Sequence, residues 1–439
     1  GFQNCLKDWE KQYGKTYGFY RNDRSSIVTS DLELVKDVMV KNFQAFPNRR
    51  RILVLNYKPY SETLLLLRDD HWKFVRSRLS PVFSSGKLKK MVPAIKRSCR
   101  NLVKHVAEKA ASKEDVDLKI LCQTYTMDVM AGTAFGIELD SLAYPDHPFV
   151  KMTEKIQNPP KWMSSLIQAV NYMLHVVNTA LKIRRQDPER YPDVLQLLVD
   201  TEREQETEKQ VDPEIDHMKQ LRTSASWTRR TGLTDGEMQA NLFDFLMAGY
   251  DTSATVMYFF LYNLAAHPEC VEKVQEEIDR KLGENEVDYW VSTDLPYLDM
   301  CMNESLRLYP PACMLDRECS QDTVLGGMHV PKNMLVTLAI YNIHTDPEHW
   351  PDPMKFDPER HTPEARASRH PFSFLPFGMG PRNCIGMRKA QMDLKMGVAA
   401  ILQKFTPVLC DKSVYPPKIA NHFKLAAEDM WVKFEPRKQ

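Results

Sequence analysis

The sequence predicts a mostly helical fold with a small β-rich region, of the α+β class. Helical apolar periodicity dominates from about residue 86 to 310. Short apolar runs separated by Pro, Gly and Asn turns return after residue 311, which is typical of strands. The 439 residues are 43% hydrophobic and 27% charged, as in globular proteins, and a net charge of +1 gives no general attraction to nucleic acid.

The N-terminal region predicts a hairpin followed by a helix. TYGFY and SSIVTS, on either side of Arg21 to Arg24, have the β-rich composition of paired strands. Ser30 and Glu33 then form a capping-box pattern that predicts a helix over DLELVKDVMVKN.

A long apolar helix is predicted at the centre of the chain. Thr234 and Glu237 form a second capping box, and the run over 242–266 is apolar except for Asp244 and Asp251. Its length would permit a membrane crossing, but two carboxylates make a buried helix in a protein core the better prediction. His267-Pro268 ends this helix and begins another, while the polar run from about 201 to 232 is typical of a solvated loop.

Residues that end helices or form turns predict further elements. Pro310-Pro311 ends the helix LDMCMNESLRLY, and Asn333 replaces Gly in a turn that needs positive φ. The run from about 345 to 383 is rich in Pro and Arg and predicts a long ordered loop, which is often functional. The helix IGMRKAQMDLKMGVAAILQKF comes next.

The nine cysteines are odd in number and include no CxxC pair. This pattern disfavours a disulfide framework or a zinc ribbon, so we expect mostly small core residues in a reducing compartment. The chain begins GFQNCLKDWEKQYGK, without an initiator Met or signal-peptide pattern. We therefore expect that an upstream segment precedes these residues.

The stretch FGMGPRNCIG, residues 377–386, places one cysteine at the start of a helix. Unpaired N–H groups and the helix dipole would stabilise a thiolate at Cys384. Gly378 and Gly380 can adopt positive φ and let the backbone pass close to a flat group, while Phe377 could shield the sulfur. A buried structural cysteine is the alternative, but the full set favours a thiolate bound axially to haem iron.

This stretch resembles the haem-binding signature F-x-x-G-x-R-x-C-x-G of the cytochrome P-450 superfamily. YTMDVMAGTAFG, PYLDMCMNESLRLYPPA and FDPER extend the similarity over most of the chain, towards the animal microsomal clan with the drug- and steroid-oxidising family 3 enzymes and thromboxane synthase. The resemblance implies a single P-450 catalytic domain over 1–439, β-rich at about 1–60 and 311–375 and helical at about 61–310 and 376–410. Haem b, iron protoporphyrin IX, would lie between the long central helix and the cysteine loop. By the same comparison, we expect the family's N-terminal anchor to lie outside these residues.

The resemblance also assigns roles to individual residues. In AGYDTS, Asp251 and Thr252 place an acid beside an alcohol in an apolar run, where a kinked helix with satisfied polar groups is the alternative reading. The family uses such a pair to deliver protons during dioxygen activation, and the small Ala248 lines the same groove. The propionates of haem would be held by Trp72, Arg76, Arg317, Arg382 and, less securely, Arg49, and the metal ligand would be Cys384.

The family's E-R-R core corresponds to Glu304, Arg307 and Arg360, with a structural role. By residue type alone, Glu304 and Arg307 could equally form a surface ion pair. The sequence departs from the family where His361 follows FDPER in place of Phe, and where the stretch between Phe149 and Asp193 is short. The histidines show no metal-ligand spacing, and we interpret them as structural or surface residues.

The leading hypothesis is a haem-thiolate monooxygenase that inserts one atom of O2 into a steroid, fatty acid or xenobiotic. The resemblance implies electrons from NADPH-cytochrome P-450 reductase, with cytochrome b5 as an optional second donor, and a place on the cytoplasmic face of the endoplasmic reticulum membrane with peripheral membrane contact. A thromboxane-synthase-like isomerase and a non-catalytic haem sensor are the alternatives. Lys389, Lys395 and Lys404 could form a basic face for a redox partner, although a solvated helix face is the simpler expectation.

Overall fold

The computed structural model describes residues 2–21, 24–51, 58, 60–157, 163–186, 193–200, 232–420 and 425–437. The chain forms two compact units. The first comprises Gly1–Arg50, Cys99–Gln123 and Thr252–Gln439, and the second comprises Arg51–Ser98 and Thr124–Asp251. The predicted polar run at 201–232 lies almost wholly outside the described residues.

Helices account for most of the structure, which confirms the predicted fold class. In chain order they are α1 Phe2–Tyr13, α2 Leu32–Lys36, α3 Asp69–Leu79, α4 Ser85–Ser112, α5 Leu118–Met130, α6 Pro148–Gln157, α7 Met163–Gln186, α8 (194–200), α9 Asp235–Ala266, α10 Pro268–Leu282, α11 Pro296–Leu308, α12 Ile340–His344, α13 Pro363–Ser368 and α14 Met387–Leu402. One π-helical turn follows α2 over Asp37–Lys41, and another follows α5 over Ala131–Phe135.

The strands belong to the first unit. They are β1 Thr16–Arg21, β2 Arg24–Thr29, β3 Val116–Asp117, β4 Leu315–Glu318, β5 Thr323–Leu325, β6 Met328–Val330, β7 Leu335–Leu338, β8 Phe405–Leu409 and β9 Trp431–Pro436. The largest sheet has the order β1-β2-β7-β4, and β2 pairs with β7 in parallel while the other pairs are antiparallel. The predicted N-terminal hairpin is therefore confirmed.

The ends of the central helices follow their sequence signals. The backbone N–H of Thr234 donates to Glu237 Oε2 at 2.7 Å, and the N–H of Glu237 donates to Thr234 Oγ1 at 3.2 Å, so the predicted capping box is formed. Pro268 occupies the first turn of α10 directly after the end of α9, as the pattern predicts, and His267 stands at the N-cap position without a side-chain capping hydrogen bond. None of the helices among the described residues is long and apolar enough to cross a membrane.

The prediction of the α2 cap was wrong by one residue. Asp31, and not Ser30, caps this helix, because its carboxylate accepts hydrogen bonds from the N–H groups of Glu33 and Leu34. The Ser30 hydroxyl instead donates to Glu10. Aspartate and serine are almost equivalent as caps, so the sequence pattern could not separate them.

A buried apolar cluster connects the large sheet with the segment before the predicted cysteine loop. It combines residues of α2 and its π turn, such as Met39, with strand residues such as Val336 and with Leu375. Asn333 adopts φ 70° in its turn, as predicted. The cluster thus anchors one end of the loop that carries Cys384.

Candidate active site

The cysteine loop, residues 377–386, is a hydrogen-bonded turn in which Cys384 lies three residues before the start of α14. The N–H of Cys384 donates to the carbonyl of Phe377 at 2.9 Å, and the N–H of Gly378 donates to the carbonyl of Leu375 at 3.0 Å. Cys384 is exposed, whereas six of the other eight cysteines are buried. The expectation that most cysteines are core residues is confirmed, and Cys384, like Cys5, is an exposed exception, as a ligand-binding thiol requires.

Three glycines of the loop serve different purposes. Gly378 and Gly380 adopt φ 67° and 74°, as predicted. A Cβ on Gly380 would lie 2.2 Å from the carbonyl oxygen of Met39, so this glycine is required by the protein's own packing. Gly386, the N-cap of α14, has an ordinary φ of −88°, and a Cβ there would meet nothing within 4 Å. Packing within the protein therefore does not explain Gly386.

Three of the predicted anchoring arginines come together in the first unit. Arg382 is buried, and its Nε donates to the carbonyl of Pro47 at 2.8 Å. Arg49 Nη2 donates to the carbonyl of Arg382 at 3.5 Å. The backbone N–H of Glu318 donates to Asn48 at 2.8 Å, which fixes this segment beside β4 and Arg317.

The positive charge of Arg317 is not balanced by a carboxylate of the described residues, which fits an anionic ligand. Only 2% of its surface is exposed, and its Nε has no hydrogen-bond partner among the described residues. The adjacent Asp316 is taken up by Arg50 at 2.9 Å and by the Thr337 hydroxyl at 2.8 Å. Burial, and then the charge of Arg49, hold the pKa of Arg317 well below its ordinary value. A propionate beside this guanidinium would supply the missing negative charge, so these residues fit haem.

The central helix α9 exposes one face in the middle of a buried run. Ala248 and Thr252, four residues apart, are exposed, and Asp251 is half-buried, while most residues around them are buried. The assignment of Asp251 and Thr252 to proton delivery stays a prediction. The adjacent Gly249 is closely packed within the protein, because a Cβ there would lie 2.7 Å from Met130 Sδ.

Trp72 and Arg76 lie one turn apart in α3 of the second unit, as the W-x-x-x-R spacing predicts. Trp72 is buried and Arg76 is half-buried. The residue before them is tied to the start of α9, because His71 Nε2 lies 2.6 Å from Glu237 Oε1. Their assignment to haem stays a prediction.

The E-R-R residues form a cluster in the first unit, in which Glu304 and Arg307 are fully buried and Arg360 is half-buried. Arg307 donates to both carboxylate oxygens of Glu304, from Nε at 2.8 Å and from Nη2 at 2.7 Å. Arg360 Nε lies 3.5 Å from Glu304 Oε1. Burial would raise the pKa of Glu304, but hydrogen bonds from Arg307 and His361 outweigh it and hold the pKa at about 2. The surface-pair interpretation is excluded, because both side chains are 0% exposed.

The lysines after the cysteine do not form the suggested basic face. Lys389 and Lys395 are buried and paired, with Asp393 at 2.6 Å and with Asp299 at 2.7 Å respectively. Lysine on a helix is usually exposed, so the sequence favoured solvated side chains. Asp393 lies four residues after Lys389 in the same helix, whereas Asp299 comes from α11, a pairing that a linear pattern does not show.

Sequence reasoning missed two histidines that contribute to this region. His361 Nε2 lies 3.0 Å from Glu304 Oε2, and His344 Nε2 accepts the N–H of Leu375 at 2.8 Å. The signal for His361 was present in the departure from Phe after FDPER. No signal in the sequence marked His344.

An exposed cysteine in a hydrogen-bonded turn and the buried Arg317, whose Nε has no hydrogen-bond partner among the described residues, fit the class of haem-thiolate proteins. The sequence profile of the family described as Cytochrome P-450 matches residues 1–431. Similar proteins include Cytochrome P-450 3A18 of Rattus norvegicus, 35% identical over 94% of this chain and 84% of the relative. Cytochrome P-450 3A11 of Mus musculus is 35% identical (95% and 84%), and Cytochrome P-450 3A5 of Homo sapiens is 34% identical (93% and 82%).

The chain belongs to the cytochrome P-450 family. It is a cytochrome P-450 monooxygenase, and the family binds haem through a cysteine thiolate. Family membership also implies redox partners and hydrophobic substrates. These relatives favour neither the isomerase nor the sensor hypothesis.

Proposed function

We propose that this monooxygenase oxidises a steroid, fatty acid or xenobiotic with electrons that pass from NADPH through a flavoprotein reductase. The observation that carries the proposal is the exposed thiol of Cys384 in its hydrogen-bonded turn. Thiolate-ligated haem supplies the chemistry, because the thiolate donates electron density that favours cleavage of the O–O bond. The similarity to the family 3 relatives supports the choice of substrate classes.

Each site residue has a proposed part in holding the cofactor. Cys384 would bind the haem iron through its thiolate, Phe377 would shield the sulfur, and Ala248 would offer a small surface on α9. The propionates are assigned to the following side chains: Trp72, Arg76, Arg317, Arg382 and Arg49. The burial of Arg317 and Arg382 supports this assignment, because a buried guanidinium is stabilised strongly by a carboxylate.

Asp251 and Thr252 are proposed to handle protons. Thr252 would hold a proton at its hydroxyl, and the half-buried Asp251 beside it in the chain would resupply that proton. Their neighbour Tyr250 is fixed through its carbonyl, which accepts the Thr126 hydroxyl at 3.0 Å. A fixed backbone at this point keeps the two side chains oriented.

The proposed electron donor is NADPH-cytochrome P-450 reductase, with cytochrome b5 as a second donor. The proposed location is the cytoplasmic face of the endoplasmic reticulum membrane. Support for both comes from similarity to the family 3 relatives, which the chain matches over 93 to 95% of its length.

The test combines spectroscopy with turnover. The purified protein should take up haem and give the reduced-CO band of a thiolate ligand, and Cys384→Ser should lose that band while remaining folded. With reductase and NADPH, a panel of steroids, fatty acids and xenobiotics should yield oxygenated products by mass spectrometry. Thr252→Ala should keep the band but lower the yield of product for each NADPH consumed. An unchanged band in Cys384→Ser, or no product from any member of the panel, would contradict the proposal.

A further inference from the structure

Two buried histidines flank the Glu304 cluster. His344 and His361 are 0% and 1% exposed. His361 lies beside the rings of Phe374, at 5.0 Å, and Trp350, at 5.7 Å, and His344 lies 5.4 Å from Phe374. Both imidazoles are therefore held in place by aromatic packing, and each makes a polar contact inside it.

His361 completes the coordination of the Glu304 carboxylate. Oε2 accepts from Arg307 Nε at 2.8 Å and lies 3.0 Å from His361 Nε2, while Oε1 accepts from Arg307 Nη2 at 2.7 Å and from the N–H of Asp357 at 3.0 Å. Burial lowers the pKa of His361 even against the charge of Glu304, so a neutral imidazole donates from Nε2. With two donors on each oxygen, the carboxylate has one orientation.

Arg307 links the Glu304 carboxylate to residues that contact the segment before the cysteine loop. Its Nη1 donates to the carbonyl of His344 at 2.8 Å and to the carbonyl of Pro353 at 2.7 Å. The His344 imidazole must accept at Nε2, because it faces the N–H of Leu375 at 2.8 Å. Burial first, and then the charge of Arg307, lower the pKa of His344 to about 3, so this nitrogen stays unprotonated at neutral pH.

The hydrogen bonds continue into the loop itself. The carbonyl of Leu375 accepts the N–H of Gly378 at 3.0 Å, and the carbonyl of Phe377 accepts the N–H of Cys384 at 2.9 Å. An unbroken series of contacts thus leads from the side chain of His361, through Glu304, Arg307 and His344, to the turn that presents the thiol.

We propose that His361 is a positioning residue for the cysteine loop, acting through Glu304, Arg307 and His344. The inference rests on the proposed role of Cys384 as the axial ligand. Phe stands at this place in the pattern that the sequence resembles, so His361→Phe should fit the aromatic surroundings and remove only the hydrogen-bond donor. The substitution separates the donor from the shape of the side chain.

The experiment measures amide hydrogen exchange by mass spectrometry on the full haem-loaded chain, for His361→Phe, His361→Gln and the control His329→Phe. His329 is exposed in β6, so its substitution changes composition without touching the cluster. We expect exchange in peptides that cover Asp357 and Leu375 to become roughly tenfold faster in His361→Phe, as for the loss of one buried hydrogen bond. His361→Gln keeps a donor and should restore most of the protection.

A second readout follows the ligand directly. The thiolate-type reduced-CO band should convert to the inactive form several-fold faster in His361→Phe than in His329→Phe. Unchanged exchange at Leu375, equal acceleration in β8 and β9, or a Gln variant as fast as the Phe variant would each overturn the proposal. Exchange does not depend on turnover, and the band of the unsubstituted protein tests the role of Cys384 separately.

Discussion

Two groups of buried arginines in the first unit differ in how their charge is balanced. Arg307 is fully buried and makes a two-pronged ion pair with Glu304, whose remaining positions are filled by Asp357 and His361. Arg317 is 2% exposed, and within the described residues its side chain makes a hydrogen bond only to the carbonyl of Asp316. The first group is complete in the protein alone, while the second fits a ligand that carries negative charge.

The difference separates residues that stabilise the fold from residues that serve the cofactor. A buried charge is costly unless it is paired. Arg317 therefore does not contribute to the stability of the protein without a ligand. Substitutions in the Glu304 and Arg307 cluster should therefore lower the free energy of unfolding. Substitutions at Arg317 should instead weaken the binding of haem.

The largest effect is expected for Glu304→Gln. The amide keeps the shape but leaves the Arg307 guanidinium buried without a counter-charge, so the free energy of unfolding should fall by about 3–5 kcal/mol. Urea unfolding followed by circular dichroism measures it, with His329→Phe as the control. A loss of less than about 1 kcal/mol would show that the cluster is not the closed unit described above.

Gly380→Ala and Gly386→Ala test the same contrast inside the cysteine loop. Gly380 has φ 74° and faces a backbone carbonyl, so alanine there should destabilise the protein by roughly 3 kcal/mol. Gly386→Ala should change the unfolding of the haem-free protein by less than about 1 kcal/mol and weaken haem retention. Equal stability losses in both variants would contradict this division. Thermal unfolding without haem and a haem-transfer assay provide the two measurements.

Acid should remove the contribution of ionised Glu304 to the free energy of unfolding. Its pKa is about 2 in the folded protein, below the ordinary 4.5, so its contribution is complete above about pH 4.5 and is lost as pH falls towards 2. Linkage limits this contribution to about 3 kcal/mol. The difference in stability between the unsubstituted protein and Glu304→Gln should therefore shrink below pH 4.5 in an acid titration. A stability difference between the two proteins that stays constant down to pH 3 would contradict the low pKa of Glu304.

Arg317→Met should have a small effect on folding and a clear effect on the cofactor. Removing an unpaired buried charge should leave the stability of the haem-free protein within about 1 kcal/mol or raise it, while haem should be lost faster to an acceptor protein. Arg307→Met is the matched comparison and should be strongly destabilising. A haem affinity unchanged by Arg317→Met would remove Arg317 from the propionate site.

The smallest effect is expected for Arg100→Ala. Arg100 pairs with Glu286 at 2.5 Å, but both side chains are largely exposed. Water screens such a pair, so the midpoint of unfolding should stay within experimental error. A measurable decrease in this midpoint would mean that burial does not explain the larger contribution of the Glu304 cluster to stability.

The sequence by itself determined the fold class, the ends of α9, α10 and α11 and the positive φ of Gly378, Gly380 and Asn333. These features depend on neighbours along the chain, since caps, prolines and glycines act locally. The family signature also directed attention to Cys384 and to the arginines, although their part in binding haem remains a proposal.

Only the tertiary structure decided which charges are paired. It buried Lys389 and Lys395 against carboxylates, exposed Thr252 on α9, and brought His361 to Glu304 and His344 to Leu375. Apart from Lys389 and Asp393, which lie four residues apart in α14, these contacts join residues that lie far apart in the chain. Burial and pairing set the energy of a charge, and both depend on the packed fold.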